Sequence, residues 1–126
     1  MIRTRHAALF VAALVMAEPG FAQEAMTTDE LLALTKDGRT IRLGGPGTGY
    51  SGELVLNADG TGKGAAETDS GKKLTLTGSW RIGDGAFCRK WKEFDDGAEV
   101  CETWKKTSDN SVDVYVGDNK VGVNSW

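Results

Sequence analysis

Turn signals recur along this chain at intervals so short that only a meander of short strands fits between them. They fall in the glycine-rich stretch 44–49, at Asn57-Ala58-Asp59-Gly60, Asp69-Ser70-Gly71, Gly83-Asp84-Gly85, Asp95-Asp96-Gly97, Ser108-Asp109-Asn110 and Gly117-Asp118-Asn119. Asp-Gly steps accept the positive φ of tight hairpin turns, and Asn and Asp close turns with their own side chains. The segments between them predict strands over residues 39–43, 50–56, 61–68, 72–82, 86–94, 98–106, 111–116 and 120–126. In the clearest of these, Leu74, Leu76, Gly78, Trp80 and Ile82 alternate with Lys73, Thr75, Thr77, Ser79 and Arg81. One face of that strand is apolar and the other polar.

Short turns force antiparallel neighbours, because parallel strands need long crossovers. About eight antiparallel strands hide their edges best by closing on themselves. The expectation is a mainly β fold: a small antiparallel up-and-down barrel, with a two-sheet sandwich as the alternative. One short helix precedes it. Thr27 and Glu30 have the spacing of a capping box, Leu31, Leu32 and Leu34 follow, and Asp37-Gly38 stops the run.

Residues 1–22 read as a secretory signal peptide. Arg3 and Arg5 open it, an aliphatic run covers 7–17, and Gly20 and Ala22 flank a cut after Ala22. The run is too short for a permanent bilayer span of about twenty residues. A single domain over 23–126 remains, working in the periplasm or as a secreted protein. Its charge is 13 basic minus 17 acidic residues, or −4, once Arg3, Arg5 and Glu18 are removed. That balance offers no electrostatic case for nucleic acid and no polybasic membrane anchor. No cysteine follows the cut, so no lipid anchor is expected.

The single histidine, His6, lies in the leader. The domain therefore lacks the parts for Ser-His-Asp or Cys-His catalysis and for His-ligated zinc. No metal and no cofactor is expected. Cys88 and Cys101 are the only cysteines. An even pair in an oxidising compartment reads as a disulfide, since no Cys-x-x-Cys spacing points to a redox pair.

A bridge between Cys88 and Cys101 ties two arms of one hairpin, and cross-strand partners share a face. If the two are opposite, partner numbers sum to 189. Phe87, Arg89, Trp91, Val100, Glu102 and Trp104 then share the other face. Being rich in large apolar groups, that face is expected to point inward. Arg89 and Glu102 are a diagonal pair there. They read as a mutual ion pair or as groups reaching the barrel rim. The functional reading is a polar anchor for a ligand cavity ringed by Trp80, Trp91 and Trp104.

Three motifs tempt and fail. Residues 44–51 approach the P-loop pattern, but Tyr50 replaces its lysine and no βαβ unit surrounds it. Glu93, Asp95, Asp96 and Glu99 cluster at one turn without the spacing of a calcium loop, and read as a solvated tip. Trp126 ends the chain as an aromatic does in outer-membrane barrels, but the strands are too short and polar for a lipid-facing band. It reads as packed on the core or sealing a barrel end.

The segments Gly78-Ser79-Trp80-Arg81-Ile82, Phe87-Cys88-Arg89-Lys90-Trp91 and Cys101-Glu102-Thr103-Trp104 follow Asn57-Ala58-Asp59-Gly60-Thr61 and the helix. Together they resemble a group of small exported lipocalin-like proteins of Gram-negative bacteria without known activity. The resemblance implies an exported β-barrel with one disulfide, and it carries over no catalytic residue. The functional expectation is a non-enzymatic binding protein for a small apolar molecule or a periplasmic protein, with Trp80, Arg89, Trp91, Glu102 and Trp104 at the site. The alternative is a hydrolase inhibitor that plugs its target with the 44–49 loop. A third reading, a carboxylate-dependent enzyme, requires two acidic groups facing across a cleft.

Overall fold

The computed structural model describes residues 23–126; the signal peptide reading, with His6, lies outside the described residues. Helix α1 (Thr28–Thr35) starts at Thr27 with the expected box. The Thr27 hydroxyl accepts from the Glu30 N–H at 3.1 Å, and the Glu30 carboxylate accepts from the Thr27 N–H at 3.0 Å. Leu31 and Thr35 are buried, so this short helix is held by packing more than by propensity.

Eight strands follow: β1 (Arg39–Gly45), β2 (Tyr50–Leu56), β3 (Thr61–Thr68), β4 (Lys73–Gly83), β5 (Ala86–Trp91), β6 (Val100–Ser108), β7 (Ser111–Val116) and β8 (Asn119–Ser125). Each pairs antiparallel with the next, and β8 returns to β1, which closes the barrel. The up-and-down topology expected from the turns is the one found, and the sandwich is not. The closing seam is short, with Arg42 opposite Ser125 and Leu43 opposite Asn124.

Several element ends differ from expectation. β1 runs on through Gly44 and Gly45, so the glycine-rich stretch leaves only a four-residue turn, 46–49. β5 stops at Trp91 and not at Phe94, and β6 begins at Val100 and not at Ala98. The cause is a turn in which Asp95, Asp96 and Gly97 all take positive φ, at 55°, 54° and 76°. Left-handed residues in sequence bend the chain out of the ladder.

The barrel ends are unlike. α1 lies at the end where β1 begins and β4 meets β5, and the Gly85 N–H donates to the Thr28 hydroxyl at 2.6 Å. Residues 24–26 run beside β6 there, beyond the end of β5: the Met26 N–H donates to the Trp104 carbonyl, and the Lys106 N–H to that of Glu24. Leu31, Ile41, Leu56, Phe87, Trp104 and Val112 are fully buried in this half. Trp80, Phe87, Trp104 and Trp126 stack in a row, with ring centroids 5.9, 4.8 and 6.3 Å apart. Trp126 thus packs on the core. The Asn110 carboxamide bonds its carbonyl at 2.9 Å.

The hairpin register is the expected one, with Cys88 opposite Cys101 and joined to it. Phe87, Trp91, Glu102 and Trp104 are buried on the inner face. Cys101 is exposed on the outer face, but Cys88, also facing outward, is buried. The side-on pair of Arg81 with Glu99, both N–H···O distances 2.8 Å, lies beside the bridge. Charged side chains such as Lys63, Lys73, Arg81 and Lys90 stand on the outer face, which suits water rather than lipid. Among the described residues no helix is long and apolar enough to cross a membrane.

Candidate functional site

The barrel half away from α1 is not filled. It holds a cavity of about 210 Å³, lined by Leu43, Leu54, Ala66, Leu74, Leu76, Phe87, Trp91 and Val114, with Tyr50, Phe94 and Val121 toward the loops. The alternation of each strand dictates this lining. Ala66 and Leu74 are cross-strand partners, as are Gly64 and Leu76, and small residues on β3 leave the room that leucines on β4 face.

Trp91 forms one wall because two neighbours are glycines. A Cβ at Gly62 would lie 2.9 Å from its ring, and one at Gly78 would lie 3.2 Å from the ring and 1.8 Å from the Lys90 carbonyl oxygen. The six-membered ring of the indole therefore lies close against β3 and β4. Of the three tryptophans expected around a ligand, Trp91 alone lines the cavity. Trp104 is fully buried in the stacked core beneath it, and Trp80 packs on Phe87 with its indole N–H on the Thr61 carbonyl at 2.9 Å.

Arg89 and Glu102 both reach the cavity, and they pair with each other. The Arg89 Nε–H donates to Glu102 Oε2 at 2.8 Å, and its Nη1–H to Asp95 Oδ2 at 3.1 Å. The second oxygen of Glu102 accepts from the Trp104 indole N–H at 2.9 Å. A buried carboxylate is tolerable only when paired and bonded in this way. Burial alone would pull the Arg89 pKa down. Its bonds and attraction to Glu102, then to Asp95, outweigh that and hold it above the ordinary arginine value. The mutual ion pair of the sequence reading is present, and the pair forms the charged part of the cavity lining, without the expected ring of three tryptophans.

Of the five candidate site residues, Arg89, Trp91 and Glu102 line the cavity; among the lining residues that the candidate set left out, Phe94, Tyr50 and Asn124 stand apart. Phe94 falls in the turn, where no alternation applies. Tyr50 leans from β2 past β1 to β8, with its ring against Gly44 and Gly122. Asn124 is 7% exposed, lines the cavity, and among the described residues its carboxamide has no hydrogen-bond partner. A buried amide left unpaired costs about 1–3 kcal/mol, so its presence in an apolar wall requires a reason.

The acidic turn does not gather its carboxylates around one point. Glu93 binds the Thr77 N–H and hydroxyl, Asp95 binds Arg89, and Glu99 binds Arg81. These bonds, led by the Thr77 hydroxyl for Glu93 and by the Arg81 side chain for Glu99, hold both carboxyls below the usual glutamate value. The tip is solvated, as the sequence reading expects, and Glu93, Asp95 and Glu99 are tethered within it. Glu99 also lies beside both cysteine sulfurs, but these are joined to each other and offer no thiolate for a metal. The 46–49 turn folds on itself through the Thr48 hydroxyl, which bonds the carbonyls of Gly45 and Tyr50 at 2.7 and 2.8 Å. Comparison with protein-family models, with curated proteins and with solved structures found no match to this chain.

Proposed function

We propose that this chain is an exported, non-enzymatic binding protein that holds a small, largely apolar molecule in the open half of its barrel. The cavity carries this reading: apolar walls with a few converging polar groups are the usual form of a small-molecule site. Its size sets the scale. An apolar cavity of about 150 Å³ takes benzene, so about 210 Å³ suits a ring or short chain of about eight non-hydrogen atoms. Export is supported by the leader-like residues 1–22 and by the disulfide, which persists in oxidising compartments. The likeness to small exported lipocalin-like barrels supports the same placement.

A non-enzymatic role is supported by what the cavity contains. No histidine occurs after His6, and Glu102, the carboxylate of the cavity lining, and Asp95, outside that lining, are both engaged by Arg89. Neither is left to act as a general acid or base. The inhibitor reading draws little from a four-residue turn closed by its own hydrogen bonds.

The test is an NMR titration of residues 23–126 with toluene. Shift changes are expected at Leu76, Trp91, Phe94 and Val114, and Ala66→Phe, which fills the cavity, is expected to abolish them. No saturable change at these residues, or changes scattered over the outer face, would overturn the proposal.

A further inference from the structure

Two polar features of the cavity lie on different strands and are treated differently by the protein. On β5 and β6, Arg89 is shared between Glu102 and Asp95, so the cluster of three ionised groups carries a net negative charge. No lysine is paired with either carboxylate. On β8, Asn124 is more than nine-tenths buried, faces inward beside Leu43 and Val112, and lacks a partner among the described residues. A carboxamide offers a donor and an acceptor side by side. Tyr50 stands near it. Its oxygen accepts from the Val123 N–H at 2.9 Å, which leaves its own hydroxyl hydrogen free to donate.

Resting on the binding reading above, we infer that the site selects a neutral amphiphile, an apolar body bearing an amide-like head that pairs with the Asn124 carboxamide, and rejects the matching carboxylate. Charge decides between the two heads. An anion entering this cavity approaches a cluster that already has two carboxylates for one guanidinium, with repulsion strongest from the largely buried Glu102 and weaker from Asp95, which is half open to water. Of the three Arg89 nitrogens, Nε and Nη1 are occupied, so a carboxylate cannot form the two-pronged pair without displacing Glu102 or Asp95. A neutral amide meets none of this and gives Asn124 both bonds at once. A site built to hydrogen-bond a group rejects analogues that cannot supply it, because its own buried polar atoms are left unpaired.

Hexanamide and hexanoate are a matched pair of probes, nearly equal in size and shape. Titration of the protein at pH 7, followed by NMR at the Asn124 side-chain NH2 and the Trp91 indole, is expected to show hexanamide bound at least about tenfold more tightly than hexanoate. Asn124→Leu keeps the volume and removes the amide. It is expected to erase most of that preference while toluene still binds. Asp95→Asn removes one carboxylate from a position half open to water, and is expected to improve hexanoate severalfold and leave hexanamide unchanged. Hexanoate binding as tightly as hexanamide, or a preference that survives Asn124→Leu, would overturn the inference. Failure of toluene to enter the wild-type protein would instead overturn the binding proposal itself, so the two failures are separate.

Discussion

The hydroxyl of Tyr50 accepts a hydrogen bond from the backbone N–H of Val123 at 2.9 Å, across the end of the β1–β8 seam. β1 pairs with β8 only at Arg42 and Leu43, then turns away through Gly44, whose φ is +64°. Val123 would otherwise present an unpaired N–H at the point where the barrel closes. The phenol thus replaces a strand as the partner of that group. Gly122 makes room for it, since a Cβ there would lie 2.7 Å from the Tyr50 oxygen.

Tyr50→Phe should therefore lower stability by about 1–2 kcal/mol, the typical loss when a buried donor is orphaned. The Val123 amide should also exchange faster with deuterium than its neighbours on β8. Chemical denaturation and hydrogen exchange check both. Unchanged exchange at Val123 would show that the phenol is not what protects that amide.

The glycines beside Trp91 give a second prediction. Gly78→Ala places a methyl 1.8 Å from the Lys90 carbonyl oxygen, so the β4–β5 ladder must part. A loss of at least about 2 kcal/mol is expected, as for overpacked interiors. Gly71→Ala is the control. Its φ is +91° and nothing lies within 4 Å, so only the left-handed backbone is penalised, by about 1–2 kcal/mol. Thermal melts of the two variants, ranked in that order, are the measurement.

Trp91 and Lys90 test the faces of the same hairpin. Trp91 is 4% exposed and Lys90 lies on the outer face. Trp91→Ala should cost about 3–5 kcal/mol, as large core truncations do. Lys90→Ala should stay within about 0.5 kcal/mol of wild type. Denaturant midpoints decide it, and a crippled Lys90→Ala beside a stable Trp91→Ala would reverse the faces.

These faces were legible before the structure because a strand alternates and a disulfide joins opposite residues. The sum of 189 places Arg89 diagonally from Glu102, and the two do meet. Height along the barrel axis was not legible. Alternation tells inside from outside, but the stagger of neighbouring strands sets which inner residues share a level. Trp80 and Trp104 point inward as expected, yet sit at the helix end, one level below the cavity that Trp91 lines. Asn124 was hidden for another reason. Val121 and Val123 offer themselves for the core, but β8 pairs with β7 through a register shift at Val114/Tyr115. Gly122 and Asn124 then face inward, and Val121 is 52% exposed.

Acid should loosen the barrel through its outer carboxylates. Glu30 is held below the ordinary value of 4.5, first by its hydrogen bond to Lys106 and then by the Thr27 N–H. Glu93 and Glu99 are lowered by Thr77 and Arg81 in the same sense. A lowered folded-state pKa means the folded chain binds fewer protons than the unfolded one. The stabilisation is then complete above pH 4.5 and is lost as pH falls through the folded values. The combined variant Glu30→Gln, Glu93→Gln, Glu99→Gln should show a flatter fall in stability below pH 4.5 than wild type. Urea titrations from pH 3 to pH 6 measure the slope.

The disulfide should matter more to stability than to shape. Its ends are 13 residues apart, and closing a loop of that length removes unfolded-chain entropy worth about 3 kcal/mol. The hairpin keeps other supports without it. Phe87 and Trp104 pack 4.8 Å apart, Arg89 bonds Glu102 across the two strands, and Arg81 bonds Glu99 beside the bridge. Reduction, or the pair Cys88→Ala and Cys101→Ser, is therefore expected to lower the unfolding free energy by about 3 kcal/mol while the NMR spectrum keeps its barrel pattern. Cys88 takes alanine because its site is buried, and Cys101 takes serine because its site is open to water. Denaturation with and without reductant, beside a spectrum of the double variant, is the check. Collapse of the spectrum on reduction would mean that the bridge, and not the inner-face packing, sets the β5–β6 register.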